Sequence, residues 1–332
     1  KKKIAYAITV TKDGSFVDGA LVLGYSIIKS HKISKYDAEL IAFVVSNVQT
    51  SRPILQAYGW KVIEKKLPVE LDEIENKKYA DRMKDSGCCG ADEFLKLWAF
   101  TLTEYHRVVH LDMDSVVLQN MDELYDIDKE MLYTGDYGMK GDSPVPPAQG
   151  GFLVVRPSLT TFSKFQEIIR KGDHSSSSGW GNTHIGNFWG GTTIQGIIPY
   201  YYYSIDQNNS YELNRCVYNC MVDNPYHKNT FNCLNNQPKC EDCRLQRIEN
   251  VKSAHFTICQ KPWTCTEHTN IKNKDLCEKL HKKWFELRNE LEIETKVDIS
   301  YRQTSRYKDS LGMCRRYGDH AYLPIPLTLI DK

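Results

Sequence analysis

The sequence lacks any apolar stretch of the roughly 18 residues that a transmembrane helix needs. Its longest apolar runs, such as Leu40–Val45 and Gly151–Val155, are far shorter. It also lacks an excess of charge of either sign, since 43 Lys and Arg face 42 Asp and Glu. We therefore expect no membrane span in this chain and no nucleic-acid partner.

No small-residue cleavage site follows the basic start, Lys1-Lys2-Lys3, which leads instead into a predicted strand. The first residue is lysine rather than methionine. The lack of a signal peptide or membrane anchor in this sequence therefore does not exclude that the protein is targeted to a compartment or a membrane. The remaining composition, 41% hydrophobic and 26% charged, is typical of a folded globular protein. A chain of 332 residues forms one large domain or two.

Cysteines are scarce except in one region, because eight of the eleven lie between Cys216 and Cys277. Disulfides in an oxidising compartment are one explanation for the cluster. Zinc is a second explanation, because Cys240-x2-Cys243 is half of a zinc-ribbon pattern, although no second half follows. Free thiols are the third. The spacing favours disulfides and leaves their connectivity open.

Apolar runs alternate with stretches of helical spacing in the first half, which predicts an α/β fold with a mostly parallel sheet flanked by helices. Strands are predicted at Lys3–Val10, Glu39–Val45, Trp60–Lys65, Arg107–Leu111 and Gly151–Val155, and helices at Phe16–Ser30, Glu93–Thr103 and Asp275–Glu294. Gly172–Asn182, rich in Ser and Gly, is predicted to be a flexible surface segment. Residues 205–278 are predicted to be a cysteine-rich, loop-rich elaboration within a single domain of residues 1–332.

Two carboxylates, Asp112 and Asp114, follow the predicted strand Arg107–Leu111. Ligands of open α/β sheets bind beyond the carboxyl ends of the strands, which is where these acids fall. Oxygen ligands of this kind suit Mg²⁺ or Mn²⁺. Asp-x-Asp also occurs in ordinary surface turns, so its placement alone leaves both interpretations open.

A second group of polar residues begins at His255 and includes Lys261. A neutral imidazole can ligate a metal, and a lysine ammonium offers a compact positive charge to a phosphate. A single histidine after a strand is more often structural. Taken together, however, the two acids, His255 and Lys261 indicate a site for a nucleotide diphosphate and a divalent cation.

Five segments of the sequence follow one another in the order of a known family pattern: Ala7–Thr11 with Gly19–Gly24, Phe94–Trp98, His110–Ser115, Gln149–Ser158 and His255–Trp263. By these segments the chain resembles the glycogenin-type family of retaining, UDP-sugar-dependent glycosyltransferases with the GT-A fold, carbohydrate-active family eight. The resemblance covers about residues 3–265.

The resemblance implies a site that binds a UDP-sugar and Mn²⁺, with Mg²⁺ as the alternative ion. Asp112, Asp114 and His255 would hold the metal. The other implied contacts to the donor are Thr9, Val10, Thr11, Phe16, Arg82, Lys96, Met113, Gln149, Gly150 and Lys261. It further implies that Lys96 and Gln195 act beside the transferred sugar. The implied acceptor is a glycan, a glycolipid or a glycoprotein, and a homodimer is left open.

One departure from the family pattern concerns the sugar side of the site. The family usually has Asp-Gln-Gly there, whereas this chain has Ile194-Gln195-Gly196. Without that acid, the resemblance favours a same-face mechanism in which the departing phosphate helps to deprotonate the acceptor. Cys259 and Cys265 flank Lys261, so disulfides at these positions would hold that loop in place, and their reduction would weaken donor binding.

Two other functions remain open at the level of sequence. The first is a phosphatase of the haloacid dehalogenase type, because Leu111–Val116 resembles its Asp-x-Asp strand end. The second is a catalytically weak carbohydrate-binding module on the same fold, which Ile194 favours and the intact metal ligands oppose. The cysteines suggest the lumen of the secretory pathway. Their resemblance to those of lumenal relatives that modify glycans or lipids implies the Golgi in particular, with the cytoplasm as the alternative.

Overall fold

A computed structural model describes residues 1–84, 90–224, 241–265, 275–303, 314 and 322–326. Among these residues the central sheet has seven strands, and two pairs of short strands lie beside it. The bounds are β1 Lys3–Val10, β2 Asp37–Val44, β3 Trp60–Glu64, β4 Arg107–Leu111, β5 Ser115–Val117, β6 Met131–Gly135, β7 Ala148–Val155, β8 His174–Ser175, β9 Gly179–Trp180, β10 Ser210–Leu213 and β11 Ser253–His255.

The helices lie on both faces of this sheet. Their bounds are α1 Phe16–Ser30, α2 Ser51–Ala57, α3 Lys77–Lys84, α4 Leu159–Lys171, α5 Ile194–Tyr200, α6 Arg215–Tyr218 and α7 Asp275–Glu294. An eleven-residue 3₁₀ helix covers Ala91–Thr101, and a π-helical turn covers Tyr201–Ile205. Single 3₁₀ turns lie at His31–Ile33, Leu71–Glu73, Asp122–Leu124, Tyr137–Met139, Cys243–Leu245, Ile248–Asn250, Pro262–Thr264 and Ser300–Gln303.

The strand order is β10-β6-β7-β4-β1-β2-β3. β1 pairs in parallel with β2 and β4, and β2 with β3, as the alternation of strands and helices predicts. β7 runs antiparallel to both β4 and β6, and β10 closes the edge in parallel with β6. The expected mostly parallel α/β sheet flanked by helices is confirmed.

The core has two layers, one on each face of the sheet. In β1, Ile8 faces the layer that includes α1 and α7, whereas Ala7 faces the layer that includes the 3₁₀ helix, α4 and α5. A strand that is buried on both faces needs an unbroken apolar run, because successive side chains point to opposite sides. This requirement explains why β1 is recognisable in the sequence.

Local signals set the ends of helix α4. The Ser158 side chain accepts a hydrogen bond from the backbone N–H of Thr161 at the start of the helix. Gly172 follows the last helical residue with a φ of 61°, a conformation that glycine adopts readily. The next residues form the β8–β9 hairpin, in which Trp180 is fully buried and donates its indole N–H to the carbonyl of Gly191. Gly172–Asn182, predicted to be a flexible surface segment, therefore contains a hairpin that buries a tryptophan, while its flexibility stays a prediction.

Three disulfides join Cys216 to Cys243, Cys259 to Cys277 and Cys265 to Cys314. Disulfides are thus the explanation that applies to the described cysteines, apart from Cys220, which is a buried free thiol. The zinc interpretation fails for Cys243, because its sulfur is bonded to Cys216. Cys240 lies outside the described residues.

Parts of the predicted elaboration, residues 205–278, belong to the sheets. β10 joins the edge of the central sheet, and β11 pairs antiparallel with β5. Within the described ranges, no helix is both long and apolar enough to cross a bilayer.

Candidate active site

The two aspartates and the histidine predicted to bind a metal lie together in the structure. Asp112 follows β4 directly, and β11 pairs with β5 so that His255 lies opposite Ser115, the residue after Asp114. His255 Nε2 is 3.2 Å from Asp114 Oδ1 and 3.8 Å from Asp112 Oδ2. The three potential ligand atoms lie within 4.8 Å of one another. This spacing allows one cation to contact all three side chains.

Backbone hydrogen bonds fix this arrangement. Asp112 N–H donates to the carbonyl of Gly151 on β7, at 3.2 Å, and Phe256 N–H donates to the carbonyl of Asp114, at 2.8 Å. His255 N–H donates to the carbonyl of Cys220, at 3.0 Å. The potential metal ligands therefore come from neighbouring strands whose separation is set by main-chain contacts.

Two lysines border the acidic pair from different directions. Lys96 Nζ lies 2.8 Å from Asp112 Oδ1, and its side chain is only 4% exposed. Lys261 Nζ lies 2.9 Å from Asp114 Oδ2 and is more accessible. Each aspartate therefore has its own ammonium partner, and both lysines lie beside the place where a cation and a phosphate would meet.

The charges perturb one another. Burial alone would raise the pKa of Asp114, but His255 and Lys261 outweigh burial and hold that pKa below its usual value. Burial would likewise lower the pKa of His255, and Asp114 raises it instead. Because metal ligation needs a neutral imidazole, cation binding here would release a proton from His255.

Two cavities open at this end of the sheet and meet at Glu93, Lys96 and Asp112, which line both. The first cavity, of about 600 Å³, lies beside the end of β1 and is also lined by Thr9, Thr11 and Lys12. The second, of about 580 Å³, contains Asp114 and His255. Its wall also includes Lys261, Gln149, Gly150, Gln195, Asp136, Asp223, Met221 and Trp189.

Four of the residues predicted to contact the nucleotide are Thr9, Val10, Thr11 and Phe16, and the structure places them in different surroundings. Thr9 and Thr11 line the first cavity, and Thr9 Oγ1 is 2.8 Å from the Nε2 of the buried His110. The Val10 side chain is 2% exposed and packs in the core. The ring of Phe16 packs edge-on against Trp263, with Lys261 Nζ 5.6 Å from its centre.

Three further predicted residues lie at or behind the second cavity. Gln149 Oε1 accepts hydrogen bonds from the backbone N–H of Gly151 and from Asn219. Gln195 Oε1 is buried and has no hydrogen-bond partner among the described atoms. Met113 is half-buried and packs against the hydrophobic core.

Arg82 is not brought to the metal ligands. Its guanidinium donates to the carbonyl of His174, at 2.7 Å, and it lines a separate cavity of about 420 Å³. Neither of the two cavities at the acidic pair includes Arg82. Arg82 lies in helix α3, outside the five segments that carry the family resemblance. The sequence therefore did not fix which family position this arginine matches.

Sequence reasoning missed several residues that line the second cavity. Glu93 is one of them and lies three residues before Lys96. The spacing of this acid and lysine, which allows an ion pair on a helix, is visible in the sequence. The burial of Lys96 is not. Trp189 is 64% exposed at the cavity wall. Asp136 and Asp223 lie outside the helices and strands, and their position relative to the site depends on tertiary contacts that no local pattern reveals.

Comparison with known proteins relates part of the chain to one protein family. The family model described as glycosyl transferase family 8 matches residues 7–137, which include the second half of β1 and the Asp112-x-Asp114 segment. Glycogenin-2 of Homo sapiens is 26% identical over 210 residues, 61% of this chain and 38% of that protein. Glycogenin-1 of Oryctolagus cuniculus is 27% identical over 197 residues, 59% of this chain and 54% of that protein.

A solved structure has the same fold. The apo structure of the WbbM bifunctional glycosyltransferase superposes with a TM-score of 0.53 at 14% identity, covering 89% of this chain and 51% of that one. The chain spans less than two thirds of the length of each of these three proteins.

The fold is of the GT-A type, and the class of protein that the matched segment, residues 7–137, resembles is a glycosyltransferase. Within that class, the matches support a glycogenin-like glycosyltransferase of family 8. The phosphatase of the haloacid dehalogenase type receives no support from them.

Proposed function

We propose that this protein transfers a hexose or pentose from a UDP-sugar to a glycan, lipid or protein acceptor, with retention of configuration and with a divalent cation bound. The observation that carries the proposal is the convergence of Asp112, Asp114 and His255, whose potential ligand atoms lie within 4.8 Å of one another. Pairs of carboxylates with one imidazole offer the oxygen-rich ligand set that suits Mn²⁺ and, less well, Mg²⁺.

These residues fit such an ion. His255 and Asp114 are almost fully buried, so their charges need a partner close by. The ion would contribute positive charge to a diphosphate leaving group. Because metal binding would take the proton from His255, we expect donor binding to strengthen as pH rises through the pKa of this histidine.

The two cavities suggest how the donor lies. Thr9, Thr11 and the end of β1 would face the uridine in the first cavity. The sugar would enter the second cavity, which has Gln195 in its wall. The diphosphate would then lie at Asp112, where the cavities meet, within reach of Lys261. This path follows the general rule that ligands of open α/β sheets bind beyond the carboxyl ends of the strands.

The chain's own cations would stabilise the departing diphosphate. Lys261 is the more accessible of the two lysines, and its ammonium can turn from Asp114 towards a phosphate oxygen. Lys96 is buried and would keep Asp112 oriented. Ile194 supplies no carboxylate to attack the sugar, so we propose a same-face transfer in which the departing phosphate helps to deprotonate the acceptor.

We further propose that residues 1–332 form one catalytic domain, with residues 205–278 as an elaboration. The described disulfides favour an oxidising compartment such as the secretory lumen over the cytoplasm. The comparisons give no support to the Golgi in particular.

The test is UDP release from a panel of UDP-sugars, with Mn²⁺, with Mg²⁺ and with a chelator. We expect release that requires the cation and falls by at least a hundredfold in Asp112→Ala and Asp114→Ala. Asp128→Asn is the control, since this carboxylate is 94% exposed and its ion pair, among the residues that the structure describes, is with Arg156. Equal turnover with and without chelator in the unmodified enzyme would refute metal dependence. Binding without turnover would favour the carbohydrate-binding module.

A further inference from the structure

Glu93 is a partly buried carboxylate at the junction of the two cavities. It lies in the 3₁₀ helix Ala91–Thr101, three residues before Lys96, and its Oε2 is 2.9 Å from Lys96 Nζ. The Glu93 side chain is 24% exposed, whereas that of Lys96 is 4% exposed. Glu93 therefore reaches the cavity wall from a buried ion pair.

Lys96 has no donor left for a ligand. Its ammonium has three N–H groups. These meet three acceptors: Glu93 Oε2 at 2.9 Å, Asp112 Oδ1 at 2.8 Å and the carbonyl of Gly150 at 3.0 Å. A group that binds the sugar in the second cavity must therefore be sought beside Lys96 rather than in its ammonium.

Glu93 has the opposite property, an acceptor oxygen that is not used. Within the described residues, the hydrogen bonding and ion pairing of the Glu93 side chain are confined to its Oε2 atom and Lys96. The Oε1 atom is thus available on a carboxylate that lines both cavities. A carboxylate oxygen accepts strong, charge-assisted hydrogen bonds from hydroxyl groups.

The surroundings of Gly150, which lines the second cavity, have a charged and an apolar side. A Cβ atom at Gly150 would lie 3.3 Å from Glu93 Oε2, 3.3 Å from Lys96 Nζ and 3.5 Å from Ile194 Cγ2. Glu93 and Lys96 therefore form the charged side, and Ile194 forms the apolar side. Ile194 offers no hydrogen bond, so the polar contacts of a ligand here would come from the charged side.

We propose that Glu93 determines donor specificity: its Oε1 accepts a hydrogen bond from a hydroxyl of the transferred sugar, while its Oε2 stays on Lys96. This inference rests on the proposed function, which brings the diphosphate to the junction of the cavities and the sugar into the second cavity, whose wall includes Glu93. It assigns to Glu93 the recognition of the sugar and to Lys96 the orientation of Glu93 and Asp112. The uridine and the diphosphate bind without Glu93.

The test compares Glu93→Gln with the unmodified enzyme, using UDP alone, the preferred UDP-sugar and its monodeoxy analogues. UDP affinity in Mn²⁺ should change by less than about twofold, whereas kcat/KM for the UDP-sugar should fall about tenfold to a hundredfold. One monodeoxy analogue should lose activity in the unmodified enzyme but show little further loss in Glu93→Gln, because the hydroxyl and the carboxylate form the same contact.

Glu104→Gln is the control for the loss of one negative charge, since Glu104 is exposed and lines neither cavity. A parallel fall in the affinities for UDP and UDP-sugar in Glu93→Gln would overturn the proposal and make Glu93 only a support for Lys96. Equal penalties for every deoxy analogue in both enzymes would overturn it as well. Failure of the unmodified enzyme to release UDP from any UDP-sugar would instead refute the proposed function.

Discussion

The imidazole of His255 lies directly against the α-carbon of Gly151. A Cβ atom on residue 151 would be 2.3 Å from His255 Cε1 and 2.6 Å from His255 Nδ1, closer than non-bonded atoms approach. Gly151 belongs to β7, whereas His255 belongs to β11, so the contact fixes how close the histidine comes to β7. Any side chain at position 151 must displace the ring.

Gly151→Ala should therefore weaken cation binding without removing a potential ligand. The ring moves away from Asp114, and a displaced ligand typically costs about tenfold to a hundredfold in metal affinity. Titration of Mn²⁺ into the protein measures this effect. Asp128→Asn is the control, because that carboxylate is 94% exposed and lines neither cavity. The interpretation fails if Gly151→Ala binds Mn²⁺ as the unmodified protein does.

Much of the sheet could be predicted because its buried strands have unbroken apolar runs. β1, α1 and α7 have the predicted bounds, Lys3–Val10, Phe16–Ser30 and Asp275–Glu294. β7 begins at Ala148, three residues earlier than predicted. The prediction missed its first residues because Gln149 and the glycines that follow it are not part of an apolar run. The Trp180 hairpin was missed for the same reason, since its Ser and Gly residues are typical of exposed loops.

The metal ligands could be predicted from strand ends and from family resemblance, whereas the rest of the site depends on tertiary contacts. Nothing near Cys259 in the sequence identifies Cys277 as its partner, because connectivity is decided by folding. Likewise, the position of Glu93 in the site depends on Lys96. The Lys96 ammonium contacts both Glu93 and Asp112 and so holds Glu93 beside the acidic pair.

Lys261→Gln should weaken binding of UDP. The substitution removes the accessible ammonium beside Asp114 and leaves the potential metal ligands in place. We expect UDP affinity in Mn²⁺ to fall about tenfold, the usual effect of losing a charged hydrogen bond. Calorimetry with UDP measures it. Lys164→Gln, a surface lysine paired with Glu167, serves as the control. Unchanged UDP affinity in Lys261→Gln would remove this lysine from the phosphate site.

The loop that carries Lys261 is held by two disulfides. Cys259 is bonded to Cys277 in α7, and Cys265 is bonded to Cys314. Replacing Cys259 and Cys277 together with serine should lower the free energy of unfolding by about 2–4 kcal/mol. It should also weaken UDP binding, because Lys261 is no longer fixed beside Asp114.

The matched control replaces Cys216 and Cys243, a disulfide that does not flank Lys261. This variant should lose stability but keep its affinity for UDP. Thermal unfolding and calorimetry on both double variants separate the two effects. Equal UDP affinities in the two variants would show that the disulfide at Cys259 stabilises the fold without positioning the site.

Asp136 should make the stability of the protein depend on pH. Burial, and then the nearby Asp223, raise the pKa of this carboxyl to about 6. The folded protein therefore binds the proton more tightly than the unfolded chain, where the pKa is about 4. The stabilisation is complete below that unfolded value and is lost as pH rises through about 6.

Asp136→Asn should remove this pH-dependent loss of stability. At pH 8 the variant should be more stable than the unmodified protein by about 1–3 kcal/mol. Urea unfolding at pH 4, 6 and 8 measures the difference, and curves that stay parallel for the two proteins would contradict the raised pKa of Asp136.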